Sequence, residues 1–153
     1  MPTVTATRTI EAPISRVWAV FTDLESSPEH LSAVEDVELL TDGPFAVGTT
    51  WRETRKMFGR TATEEMQVTA LEQQVSYDVG AVSQGTTYVS RFDFREIDPN
   101  TTEVRFTFTG ETQGGVRKAI SAVMWPLFRG KVAKELRRDL DDLAEVCEKH
   151  SRA

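Results

Sequence analysis

Residues 114–149 constrain this chain more than any other stretch. Val116, Ile120, Val123, Leu127, Phe128, Val132, Leu136, Leu140, Leu143 and Cys147 recur at steps of three, four or one, the apolar stripe of a long amphipathic helix. A stripe of that length needs a concave apolar surface to cover. The residues upstream supply it in a different period.

Residues 3–11 alternate, with Val4, Ala6 and Ile10 on one face and threonines on the other, as in a half-buried strand. Ala12-Pro13 ends it, and Ile14, Val17, Trp18 and Phe21 give a short amphipathic helix. Ser27-Pro28-Glu29 starts a second one, with Ser27 as N-cap. Period two then returns: strands are predicted over 34–41, 49–58, 61–71, 75–81, 86–97 and 102–112, with turns at Asp42-Gly43-Pro44 and Asp98-Pro99-Asn100 and a tight hairpin at Phe58-Gly59-Arg60. The fold class is therefore α+β: a curved antiparallel sheet of seven strands, two short helices between strands 1 and 2, and a long helix covering the concave face. That helix carries its bases at 129–138 and most of its acids at 139–148, the reverse of what the macrodipole favours, so packing must hold it. Pro126 falls inside the pattern and predicts a kink or a restart that would shape a cavity mouth.

At 153 residues the chain reads as a single domain, 1–153. Its formal net charge of -6, from 18 basic and 24 acidic side chains, disfavours nucleic acid as a partner. One cysteine, Cys147, excludes an intramolecular disulfide and fits a cytoplasmic setting. No run approaches the length of a membrane span, and no His, Cys or carboxylate cluster has metal-ligand spacing; no cofactor is expected. Nothing in the sequence bears on oligomeric state.

Ile10-Glu11-Ala12-Pro13-Ile14-Ser15-Arg16-Val17-Trp18, Asp23, the proline of the second short helix, Gly48 before a strand, Val68-Thr69 and the long final helix together resemble the START/Bet v 1-like superfamily. More narrowly, they resemble its bacterial polyketide cyclase/dehydrase and lipid-transport group. The resemblance implies a helix-grip fold with a cavity between sheet and helix. It also implies a lipid, sterol, polyketide or aromatic ligand, and in some members cyclisation or dehydration. It carries over no catalytic set residue by residue.

Strand parity gives the lining. Tyr88, Phe92 and Phe94 share one face, and Val104, Phe106 and Phe108 join them only if the turn at residues 98–100 holds an odd number of residues or a bulge. A two-residue loop at the Gly59 hairpin places Trp51, Glu53, Arg55 and Met57 on one face with Ala62, Glu64, Met66 and Val68. Trp51, Met66, Tyr88, Phe92, Phe106, Met124 and Phe128 are the expected ligand walls, with Tyr77 and Tyr88 offering a hydroxyl. Glu53, Arg55 and Glu64 form the one candidate catalytic group: an arginine between two carboxylates inside a sheet is a satisfied ion network, a polar contact for ligand, or an acid/base pair. A bulge that turns the three outward, or a position at the cavity mouth, is the plain alternative. His30 reads as inert, His150 in the last turn as an offset to the helix dipole, and Cys147 on the apolar stripe as a small hydrophobe. The function expected is binding of a small hydrophobic molecule, with an enzyme of cyclase/dehydrase type as the alternative. An interaction domain using the outer face of the sheet is a third reading.

Overall fold

The computed structural model describes residues 3–57, 59–83, 86–112 and 115–151, with side-chain surroundings for these except 57, 83, 86, 111, 112, 115–128, 150 and 151. The elements are β1 (Thr3–Ile10), α1 (Ile14–Phe21), a 3-10 turn (Leu24–Ser26), α2 (Ser27–His30), β2 (Val34–Leu39), β3 (Thr50–Met57), β4 (Arg60–Glu72), β5 (Ser76–Ser83), β6 (Thr86–Asp98), β7 (Thr101–Thr112) and α3 (Gly115–Ser151). One antiparallel sheet runs in the order β1-β7-β6-β5-β4-β3-β2. This is the expected helix-grip arrangement. Ser27 is the first residue of α2 and not its cap; Ser26 holds that position without a side-chain bond.

Two local devices set the registers. Met57 pairs with Arg60 across a two-residue loop whose Gly59 has φ +77, a conformation that glycine adopts without strain. Trp51 therefore faces Met66, Glu53 faces Glu64 and Arg55 faces Ala62. Between β6 and β7 the register shifts at Glu96/Asp98, and this bulge puts Phe92 opposite Phe106 and Phe94 opposite Val104.

Two elements fill the concave face at one end. Pro13 precedes the first turn of α1, whose Val17, Trp18, Val20 and Phe21 are buried. Trp18 and Phe21 meet Phe94 edge to face at centroid distances of 5.0 and 5.4 Å. The C-terminal half of α3 adds Leu136, Leu140, Leu143, Ala144 and Cys147, all buried. Its acids are anchors: Asp141 bonds Arg8 at 2.9 Å, Asp142 accepts from the Ser32 amide and hydroxyl at 2.9 and 2.8 Å, and Glu148 accepts from the Glu11 amide at 3.0 Å. The charge order that works against the macrodipole is thus recovered in tertiary contacts. α3 is assigned as one helix through residue 126; the expected kink at Pro126 and the mouth beside it involve side chains outside the described residues. Among the described residues no helix is long and apolar enough to cross a membrane.

Leu140, fully buried on α3, should lose about 2–5 kcal/mol of stability on replacement by Ala, through lost transfer energy and a residual cavity. Val82→Ala on the outer face of β5 should change stability by no more than about 0.5 kcal/mol. Urea unfolding of the two variants measures both.

Candidate functional site

Glu53 and Arg55 lie on the inner face of β3, two residues apart and therefore on the same side of the pleat. Glu53 is 8% exposed, and its Oε2 accepts from Arg55 Nε at 3.1 Å. Arg55 Nη1 reaches across to Asp139 Oδ2 on α3 at 2.9 Å. The bulge that would have turned these groups outward does not occur in the β3–β4 ladder. Glu64 sits opposite Glu53 on β4, half-buried, without a hydrogen bond or ion pair among the described residues. The arginine thus bridges two carboxylates, and the second of them is Asp139, not Glu64.

Glu135 completes the group. It lies one helical turn before Asp139, is 7% exposed like Asp139, and pairs with Arg138. Asp139 Oδ1, Glu135 Oε2 and Trp51 Nε1 are buried without a hydrogen-bond partner among the described residues. Burial raises the Asp139 carboxyl from 3.8 to about 6; Arg55 opposes the rise, while Glu53 and Glu135 add to it. Burial alone would lower the Arg55 value, but Asp139 and Glu53 outweigh it and the net direction is upward. Arg55 is held in its charged form, and the Asp139 carboxyl is moved towards neutral pH.

Sequence reading missed Asp139 and Glu135 although a signal was present. Residue 139 lies three after Leu136 and four before Leu143, and residue 135 lies three after Val132 and four before 139. Both therefore fall on the apolar stripe, where an acid must find a partner.

The aromatic candidates divide. Tyr77 is buried, its ring stacks on Phe92 at 4.9 Å, and its hydroxyl donates to the Phe21 carbonyl at 3.4 Å. That hydroxyl is spent on packing against α1, and burial pushes its titration well upward. Trp51 and Phe106 are buried, and Phe106 contacts Phe92 at 4.2 Å. Met66, Tyr88 and Phe92 are half-buried, with Tyr88 stacked on Phe108 at 5.3 Å. Met124 and Phe128 lie outside the residues whose side chains are described, as does His150. His30 is half-buried in α2, its Nδ1 without a partner among the described residues, and Cys147 is a buried free thiol pushed up to about 12, chiefly by burial. No three His, Cys, Asp or Glu side chains among the described residues converge closely enough to hold a metal ion. A depression of about 140 Å³, lined by Thr22, Leu24, Leu39 and Phe45 among others, opens between the segment after α1 and the β2–β3 loop.

The fold has solved relatives. An aromatase/cyclase, Zhui, from Streptomyces sp. R1128 superposes with a TM-score of 0.82 at 18% identity, covering 99% of this chain and 96% of that one. A START superfamily protein from Mycobacterium smegmatis gives 0.78 at 13%, covering 96% and 97%. Norcoclaurine synthase from Thalictrum flavum, in complex with dopamine and hydroxybenzaldehyde, gives 0.75 at 13%, covering 97% and 87%. At such identities the likeness speaks for the fold. Comparison with curated proteins gives no match. A family profile described as polyketide cyclase/dehydrase and lipid transport matches residues 1–148, and the chain belongs to that family.

Proposed function

We propose that the protein binds a small hydrophobic or aromatic molecule, lipid-like or polyketide-like, between the concave face of the sheet and α3. The observation that carries this reading is a set of side chains that point inward and yet are only half-buried: Met66, Ala81, Tyr88, Phe92 and Phe108. Their neighbours on the same face, Val68, Val79 and Phe106, are buried. Met66, Ala81 and Tyr88 are direct neighbours across β4, β5 and β6, so the under-filled region is continuous. Apolar area left open on an inner face is stabilised by an apolar guest at about 25 cal/mol per Å² removed from water. The reading includes a cytoplasmic setting, which suits the lone thiol.

A second reading has support in one observation. Asp139, raised to about 6 and bonded to Arg55, combines a proton donor near neutral pH with a fixed cation, as a dehydration or cyclisation of a carbonyl compound requires. In that reading Asp139 moves the proton, Arg55 polarises the carbonyl oxygen and Glu53 holds Arg55.

Filling the open region tests the first reading. Ala81→Phe should weaken binding of a fluorescent naphthalene probe about tenfold or more while the melting temperature holds; if the interior is already solid, the same change will instead destabilise by about 1–3 kcal/mol. The second generates a pH prediction. Because the Asp139 value is raised on folding, its contribution to stability is complete below about pH 4 and is lost as pH rises through about 6. Wild type should therefore lose stability relative to Asp139→Asn across that window, measured by chemical denaturation at a series of pH values. A flat difference would remove Asp139 as the proton-exchanging group.

A further inference from the structure

The charged group between β3 and α3 is not balanced. Glu53, Glu135 and Asp139 bring three carboxylates with side chains 10, 10 and 9% exposed, while among the described residues of this group Arg55 is the one comparably enclosed cation, its side chain 16% exposed. Arg138, the other basic partner, is 40% exposed at its side chain and turns to water. Glu64 adds a further half-buried acid from β4. A carboxylate oxygen held in low dielectric without a donor is expensive, and here the second oxygens of two paired carboxylates, Asp139 Oδ1 and Glu135 Oε2, accept from no described residue.

A second observation points to the same place. Trp51, 3% exposed and two residues from Glu53 on the same face of β3, has an indole N–H with no acceptor among the described residues. Its direct neighbour across the sheet is Met66, the start of the under-filled apolar row that continues to Ala81 and Tyr88. The Trp51 N–H thus borders the half-buried apolar row, with Glu53 and the Arg55–Asp139 pair next along the same face of β3. Polar groups left unpaired beside a binding surface are the groups a ligand completes: the two carboxylate oxygens call for a donor, and the Trp51 N–H for an acceptor elsewhere on the ligand.

A metal ion is a poor occupant, because no three such side chains among the described residues converge on one point. An organic cation suits the arrangement better, since several N–H donors on one head can reach oxygens that do not share a centre. We infer that the ligand carries a positively charged amine, donated to Asp139 and Glu135, on an apolar or aromatic body that lies along Met66, Ala81 and Tyr88. This inference rests on the binding reading above and narrows its ligand class. A neutral lipid or polyketide would leave the excess carboxylate charge standing, and an anionic one would add to it.

Three probes of one shape decide it: 2-naphthylmethylamine, 2-naphthylmethanol and 2-naphthylacetate, titrated calorimetrically into the full chain at pH 7.5. The amine should bind about tenfold or more tightly than the alcohol, as expected for one charge-assisted hydrogen bond, and the carboxylate least. The amine's advantage should shrink as pH falls through about 6, where Asp139 takes a proton, while alcohol binding stays level. Glu135→Gln and Asp139→Asn should each reduce the amine-to-alcohol ratio. Should Asp139→Asn fail to fold for want of the Arg55 pair, Glu135→Gln and the wild-type pH profile still decide. Equal binding of amine and alcohol, or preference for the carboxylate, overturns the cationic ligand and leaves a cavity for neutral or anionic guests. Binding of none of the three overturns the cavity reading beneath it.

Discussion

The Arg55–Asp139 ion pair is the interaction on which the rest of the interior depends. It joins β3 to α3 where both are cut off from water, and an ion pair so placed barely repays the desolvation of its partners. Hydrophobic residues of similar volume would stabilise the docking of α3 at least as well. Removing either partner alone, in contrast, strands a buried charge, with a penalty on the order of 3–5 kcal/mol. The pair therefore fixes the position of α3 on the sheet more than it strengthens it. Glu53 continues the network from the same strand and holds the guanidinium from its other side.

Around this pair the concave face divides into two regimes. Towards α1 the aromatic rings of Trp18, Phe21, Tyr77 and Phe94 interlock edge to face and stacked, and the interior is full. Towards Met66 and Tyr88 the same face is only half covered. One sheet thus carries a closely packed end and a less enclosed one. Curvature makes this possible, because a strongly bent sheet is deeper than one layer of side chains can fill.

Much of this was legible in the sequence because period two and period 3.6 are unambiguous over long runs. The parity argument put Glu53 and Arg55 on the inner face, and the demand that Phe94 and Phe106 share a side forced the bulge found at Glu96/Asp98. What could not be read was how far each helix reaches along the face. Tyr77 was placed on the right side, but α1 covers that end and takes its hydroxyl into the Phe21 carbonyl. Glu64 was placed opposite Glu53, yet the Arg55 fork turns towards the helix and away from β4. Asp139 escaped notice because an apolar stripe is traced through apolar residues, so an acid within it is passed over. Met124 and Phe128, expected as walls, lie beyond the described side chains.

The adjacent helical residues Asp141 and Asp142 hold different things: Arg8 on β1, and Ser32 two residues before β2. Those strands are the two ends of the sheet order. One step along a helix therefore acts as the clasp of a cuff, drawing both margins of a seven-stranded band to a common point. The two margins are thus tied through one helix, so the closure of the band belongs to α3 as much as to the strands. It also keeps both free margins near a helix, where a neighbouring chain would find it hard to add a strand.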